Sequence, residues 1–378
     1  MHTLAQAIEA HAQRTPEATV LVDAPTGMRT TYAALTRRGA ALAEALAVRH
    51  AVGRGTRVAV LAHNDVLTFE LLVACSSLGA VLVPLNTRLA DAELDVVLAR
   101  ARPQLLVVDE AHLARLPGHA RIPALDVARY AAGDAARPLP RDGLLHEPRI
   151  MLFTSGTTGQ PKGALLTEGN LAANATSTAQ AWALTAADVA LVDAPLFHTG
   201  GLNVLATPLL YAGGTVVVAP RFDATASGEA LCRYGATVAF GVPTMLERYL
   251  ATGVVTRSQV RLWVAGGAPC PLPLLEAFEA LGARLIQGFG MTECGPNCFR
   301  PLEGAARGSI GAPTHDLEAR LVDDAGHDVP PGGAGELWLR GPHVFAGYFE
   351  DEAATRAALD AEGWLHTGDV LRATPEGW

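Results

Sequence analysis

The feature that most restricts the fold of this chain is its alternation of short apolar runs with longer segments of helical length. Arg57–Ala62, Ala80–Pro84 and Gln104–Val108 read as short buried strands, and Asp65–Leu78 and Asp91–Ala101 read as the helices between them. The pattern resumes with strand candidates at Ile150–Phe153, Val189–Val192, Thr215–Ala219, Thr237–Phe240, Arg261–Ala265 and Arg284–Gln287. Helix candidates accompany them at Glu168–Ala183, Ala224–Tyr234, Pro243–Ala251 and Pro271–Leu281. Alternation of this kind predicts an α/β fold, with parallel sheets covered by helices. After Gly308 the character changes. Glu318–Val322 and Gly335–Arg340 read as strands joined by the turn-rich Asp323–Gly333, which predicts a small antiparallel or barrel-like unit. With the Pro-, Gly- and Arg-rich Gly133–Pro148 as a boundary, the expected division is 1–148, 149–307 and 308–378.

Composition excludes several classes of protein. A content of 49% hydrophobic and 18% charged residues is that of a globular chain and not a disordered one. A formal charge of −9 argues against a nucleic-acid-binding face. Met1–Pro16 lacks the basic start and apolar core of a signal peptide. The longest nearly apolar run, Leu71–Leu85, is interrupted by Ser76, Ser77 and Pro84 and falls short of the ~20 residues of a membrane span. The five cysteines (Cys75, Cys232, Cys270, Cys294, Cys298) form no CxxC pair, and they are read as free thiols of a cytoplasmic protein.

The segment Ile150–Asn170, IMLFTSGTTGQPKGALLTEGN, is the richest in chemistry. An apolar strand leads into Thr154, Ser155, Gly156, Thr157, Thr158, Gly159, Gln160, Pro161, Lys162 and Gly163. Small residues let backbone N–H groups turn inward as an anion nest, and the hydroxyls and the lysine add donors suited to a polyphosphate. The spacing is not that of a Walker loop, GxxxxGK followed by Ser or Thr with a helix directly after. Here an apolar stretch, Ala164–Leu166, follows, and a helix is expected only near Thr167. The alternative reading of the segment is an ordinary surface loop.

TSGTTGQPKG resembles the signature of the adenylate-forming superfamily, which includes acyl- and aryl-CoA synthetases. Five further segments resemble family motifs in the same order. In APLFHTGG (194–201), the resemblance implies that His198 lines the acyl pocket and gates entry of the carboxylate. In VAGGAP (264–269), it places adenine against Gly266, Gly267, Ala268 and Pro269. In QGFGMTE (287–293), it implies that Phe289 stacks on adenine beside Gly290 and Met291. Thr292 then contacts phosphate, and Glu293 holds Mg2+, a hard ion that prefers oxygen. GELWLRGPHVFAGY (335–348) resembles the motif that opens the third subdomain. GWLHTGD (363–369) resembles the ribose site, with Asp369 on the ribose hydroxyls; read alone, Asp369 would be a turn residue. Relatives continue past this point into a hinge and a small mobile domain that supplies a catalytic lysine. The chain is therefore read as the large amino-terminal domain, with two αβαβα-type subdomains, a small β-barrel-like subdomain and impaired adenylation.

The activity that the resemblance implies is R–COO− plus ATP giving acyl-AMP and pyrophosphate, followed by transfer of the acyl group to CoA. A carboxylate approaching a polyphosphate is repelled, so Lys162, the loop donors and Mg2+ on Glu293 would have to neutralise charge. Phe197-His198 stands where amino-acid-activating relatives carry Phe-Asp, which argues against an α-amino acid. Gly288 stands where malonate-activating relatives carry arginine, so a second carboxylate would lack that partner. Gly288 and Gly290 leave room beside His198, and Phe240, Gly241, Gly267 and Met291 are expected to help line the pocket. A flat slot of this kind favours an aromatic acid. A medium-chain acid, or transfer to a carrier protein or an amine, is the alternative.

Overall fold

A computed structural model describes residues 1–116, 118–119, 122–131, 144–155 and 160–378. The chain opens with α1 (Leu4–Arg14), β1 (Thr19–Asp23), β2 (Arg29–Thr31) and α2 (Tyr32–His50). It continues through β3 (Arg57–Leu61), α3 (Val66–Leu78), β4 (Val81–Pro84), α4 (Asp91–Ala101), β5 (Leu105–Val108), β6 (Ile122–Pro123) and α5 (Ala124–Ala131). The next stretch holds β7 (Pro148–Ser155), β8 (Pro161–Thr167), α6 (Glu168–Trp182), β9 (Val189–Val192), α7 (Thr199–Asn203), α8 (Ala206–Ala212) and β10 (Thr215–Val218). Then come α9 (Ala224–Arg233), β11 (Val238–Gly241), α10 (Pro243–Ala251), α11 (Val254–Arg257), β12 (Leu262–Ala265), α12 (Leu272–Ala280) and β13 (Leu285–Gln287). The last part contains β14 (Phe299–Arg300), β15 (Ala312–Pro313), β16 (Glu318–Val322), β17 (Ala334–Arg340), α13 (Glu352–Ala358) and β18 (Leu365–Arg372).

Two mainly parallel sheets carry the molecule. One has the order β6-β5-β3-β4-β7-β8 and the other β13-β12-β11-β9-β10-β1-β2, and each ends in one antiparallel edge strand, β8 or β2. The central strands β4, β5, β11 and β12 are buried along their whole length, as strands covered by helices on both faces must be. Helix α3 is almost as apolar, with eleven of its thirteen residues buried. It lies in the core and not on the surface.

The sheets do not respect the expected boundaries. β1 pairs with β10, so residues 19–31 belong to the sheet built mostly from residues 189–287. β7 pairs with β4, so the strand expected to open the second unit completes the sheet of the first. The β14–β15 ladder likewise crosses the expected boundary at 307/308. Local pattern marks a strand but carries no information about which distant strand it will pair with. Most of Gly133–Pro148 lies outside the described residues.

The carboxyl-terminal part is the small antiparallel unit expected: among the described residues it is a three-stranded antiparallel sheet, β16-β17-β18, beside the separate β14–β15 ladder. The β16–β17 hairpin spans the turn-rich stretch, as expected.

Candidate active site

β7 and β8 form an antiparallel hairpin in which Thr154 faces Lys162 and Ser155 faces Pro161. Gly156, Thr157, Thr158 and Gly159, at its tip, lie outside the described residues. β8 then runs straight into α6, whose N-cap Thr167 accepts from the Asn170 N–H. The hairpin therefore ends the loop in a strand, as its apolar Ala164–Leu166 requires.

A second segment docks on this hairpin. The Leu165 N–H donates to Gly347 O at 3.0 Å, and the Phe349 N–H donates to Gly163 O at 2.8 Å. This contact carries Tyr348 to the base of the loop, where the Lys162 ammonium stands 5.2 Å from its ring centroid. The Tyr348 hydroxyl donates to Glu293 Oε1 at 2.7 Å, and the Thr154 hydroxyl donates to the same oxygen at 3.4 Å. Glu293 itself is buried in the short turn Thr292–Cys294. Burial, and then the Glu293 charge, push the Tyr348 phenol above its ordinary range, so it stays protonated and remains a donor. Thr154 and Lys162 of the hairpin are thus brought to the sequence-distant Glu293 and Tyr348. A buried carboxylate beside a hydroxyl is an all-oxygen donor set, which fits Mg2+.

A cavity of about 600 Å³ opens among the residues expected to line the acyl pocket. His198, Phe240, Gly266, Gly267, Gly288, Gly290 and Thr292 line it. A Cβ on Gly266 would stand 3.0 Å from the Phe240 ring, so glycine lets the backbone lie against that aromatic wall without displacing the ring. Gly290 answers to a different constraint. A Cβ there would meet Gly295 O at 2.3 Å, so this glycine is required by the folding of its own loop. Two expected wall residues are not in the lining. Gly241 ends β11 facing Met245 and Leu246 of α10, and Met291 pairs with Gly295 and packs on the main core. Strand alternation explains Gly241, because its neighbour Phe240 already points into the cavity.

His198 also borders a second cavity, of about 430 Å³, bounded by α4 residues Glu93, Val96 and Val97 and by Phe153 and Phe197. The imidazole thus stands where the two cavities adjoin, at the N-terminus of α7. Its burial, and then the nearby Arg88 charge, lower its pKa, so the ring is uncharged at neutral pH.

Gly266–Pro269, expected to meet adenine, leave β12 and are tied to the next motif by Gln287, whose side chain accepts from the Cys270 N–H at 2.9 Å. Gly267, Ala268 and Pro269 are exposed. Phe289 packs edge-on against Phe299, with centroids 5.3 Å apart. Asp369 lies within β18, in the stretch where its pairing to β17 slips register between Glu336 and Trp338. Burial raises its pKa, and its charge reaches Cys298, whose N–H donates to Phe289 O.

Several cavity residues went unassigned in the sequence. Met245 and Arg248 come from one face of α10, Phe222 lies under the Arg248 guanidinium at 5.3 Å, and Arg88 closes another side. The i, i+1, i+4 spacing of Thr244, Met245 and Arg248 was a readable signal, given that α10 follows the strand that carries Phe240. Tyr348 closed a recognisable motif, but its bond to Glu293 depends on contacts 55 residues apart.

The sequence-family profile described as AMP-binding enzyme matches residues 8–349. A feruloyl-CoA synthase from Amycolatopsis is 37% identical, over 97% of this chain and 75% of that protein. A 2-succinylbenzoate–CoA ligase from Bacillus cereus is 36% identical, over 86% of this chain and 67% of that protein. Among solved structures, the N-terminal domain of FACL13 from Mycobacterium tuberculosis superposes with a TM-score of 0.90 at 26% identity, covering 100% of this chain and 98% of that one. o-Succinylbenzoate CoA synthetase (MenE) from Bacillus subtilis, bound to its acyl-adenylate, gives a TM-score of 0.85 at 30% identity, covering 98% and 76%. Among the described residues, no helix is long and apolar enough to cross a membrane. The chain has the fold of the N-terminal domain of adenylate-forming enzymes and belongs to the AMP-binding enzyme family, among its acyl- and aryl-CoA ligases.

Proposed function

We propose that this chain activates an aromatic carboxylic acid with ATP, forming acyl-AMP and pyrophosphate, and that the acyl group then passes to the thiol of CoA. The observation that carries the aromatic reading is the 600 Å³ cavity, walled by Phe240, Phe222 and glycine backbone, with His198 at one end. Two of the relatives support it, because ferulate and 2-succinylbenzoate are both aromatic acids.

In the proposed chemistry, a carboxylate oxygen forms a bond to the α-phosphorus while the bond from that phosphorus to the bridging oxygen breaks, and pyrophosphate leaves. Such transfers need positioning and charge stabilisation more than covalent help. Lys162, Thr154, Ser155 and the loop residues Gly156–Gly159 take the phosphates, and Thr292 adds a hydroxyl. Glu293 takes Mg2+, which when bound offsets phosphate charge. Tyr348 holds Glu293 in place. Phe289 and Gly266–Pro269 take the adenine and Asp369 the ribose. An uncharged His198 between the two cavities can admit the carboxylate on one side and the incoming thiol on the other without adding charge. The thiol sulfur then bonds to the acyl carbon, and AMP leaves with the carboxyl oxygen. The free cysteines agree with a cytoplasmic location.

The test is a thermal-shift panel of non-hydrolysable acyl-adenylate mimics: feruloyl, benzoyl, indoleacetyl, octanoyl and aminoacyl, with AMP as reference. A mimic at about 100 times its dissociation constant stabilises by about 2.7 kcal/mol. Aryl mimics should raise the melting temperature above AMP, and octanoyl should not. A larger shift with octanoyl would replace the aromatic reading with a medium-chain one. A shift equal to AMP with every acyl form would remove the cavity from the proposal.

A further inference from the structure

Away from both cavities, the fold gathers a second set of chemically active side chains at the carboxyl-terminal edge of the first sheet. β3 and β5 are parallel neighbours with Leu61 opposite Val108, so the residues that follow them emerge side by side. His63 follows β3 and Asp109 follows β5. Asp109 caps the short turn Glu110–His112, which swings His112 back over the carboxylate. Asp109 Oδ2 accepts the His63 N–H at 2.9 Å and lies 3.2 Å from His63 Nδ1. Oδ1 accepts the His112 N–H at 3.0 Å and lies 2.5 Å from His112 Nδ1. The two imidazole centroids are 4.9 Å apart, and one ligand atom from each of the three residues falls within 4.8 Å of the others.

We propose that His63, Asp109 and His112 bind one divalent transition-metal ion of the Zn2+ type. Two imidazoles and a carboxylate are a ligand set that such ions take, with water completing the shell. The nitrogen donors set this site apart from the all-oxygen surroundings of Glu293, which suit Mg2+. The two Nδ1 atoms lie 3.2 and 2.5 Å from the carboxylate oxygens, and ligands about 2.0–2.1 Å from a common ion stand about 3 Å apart, so small ring rotations bring the three onto one ion. The two backbone N–H bonds, one to each oxygen, hold the carboxylate in place, as supporting contacts do in metal sites. Coordination through Nδ1 needs each ring to carry its proton on Nε2, so the ring contacts to Asp109 are exchanged for metal bonds. Access is graded: the His112 side chain is 9% exposed, Asp109 22% and His63 40%, which gives an ion a route in past His63.

The experiment is a Co2+ titration of the chelator-treated chain without nucleotide, read by visible d–d absorption, with Zn2+ displacement and a melting curve in parallel. One equivalent of Co2+ should bind, Zn2+ should displace it, and Zn2+ should raise the melting temperature. His63→Gln and His112→Gln should each weaken Co2+ binding about tenfold or more and abolish the thermal shift. Should His112→Gln unfold the chain, His63→Gln, at a half-exposed ring, carries the comparison. Absence of d–d bands at a large Co2+ excess overturns the proposal. So does unchanged affinity in the folded variants, which would place the ion on other residues.

Discussion

Glu168 and Arg149 are both sealed from solvent and paired at 2.7 Å. Glu168 also accepts from the Leu4 N–H at 3.0 Å and from the Ser76 hydroxyl, while Arg149 donates to Cys75 O at 3.1 Å. One ion pair therefore ties α1, α3, β7 and α6 together, with Arg149 itself in the strand that leads into Thr154 and Ser155. Replacing Glu168 by Ala leaves a buried guanidinium with only the longer contact to Glu147, at 3.7 Å, as its counter-charge. Equilibrium denaturation should show a loss of about 3–5 kcal/mol. Tyr348 acts on a finer balance. Tyr348→Phe deletes one hydrogen bond to a carboxylate, and such bonds contribute about 1.5–3 kcal/mol. Affinity for Mg·ATP, measured by titration calorimetry, should fall about tenfold or more. Unchanged affinity would show that Tyr348 does not position Glu293.

At the scale of elements, the third part of the chain reaches the site by docking on α6 and β8. Ser177 of α6 donates to both oxygens of Asp316, at 2.8 and 2.9 Å, and buried His343 lies 3.2 Å from the same carboxylate. Burial alone would raise the Asp316 pKa, but His343 and then Ser177 hold it down at about 2. A carboxylate whose folded pKa lies below its ordinary 3.8 contributes stability that is present above that value and lost as pH falls towards about 2. Denaturant midpoints measured from pH 5 down to pH 2 should therefore fall more steeply in the native chain than in Asp316→Asn. Equal slopes would remove this contact from the acid response. Elements with an internal signature were legible. Glycine, proline and long apolar runs placed β3, α3, β4, α4 and β5 within a residue or two. The sequence reading made no assignment for α1, β1 or α2, and GWLHTGD was read for chemistry while its strand, β18, went unmarked. β18 exists through pairing with β17, a contact that local pattern does not encode.

Across the whole molecule, the two sheets meet through Asn64. Its amide donates to Ala194 O at 2.9 Å and Ala219 O at 3.1 Å, and its carbonyl accepts the Leu196 N–H at 2.9 Å. These bonds hold the segment Ala194–Phe197 that delivers His198 to the junction of the two cavities. Asn64→Ala leaves three buried backbone groups unpaired. It should cost about 2–4 kcal/mol in denaturation and weaken acyl-adenylate binding beyond that of a surface control. Retention of full stability and binding would show that the sheets need no such tie.

The sequence by itself determined the family, because the family's motifs each need particular residue types at close spacing. TSGTTGQPKG, QGFGMTE and GWLHTGD each hold such a set within a few residues. It also determined the alternation that makes the sheets parallel. Only the tertiary structure decided which strands share a sheet, since β1 finds β10 across nearly two hundred residues by packing and not by local pattern. It alone put Tyr348 on Glu293, removed Gly241 and Met291 from the cavity wall in favour of Met245, Phe222 and Arg248, and gathered His63, Asp109 and His112 at one edge. In each case a side chain's direction was set by register and docking, which are fixed by the whole core at once.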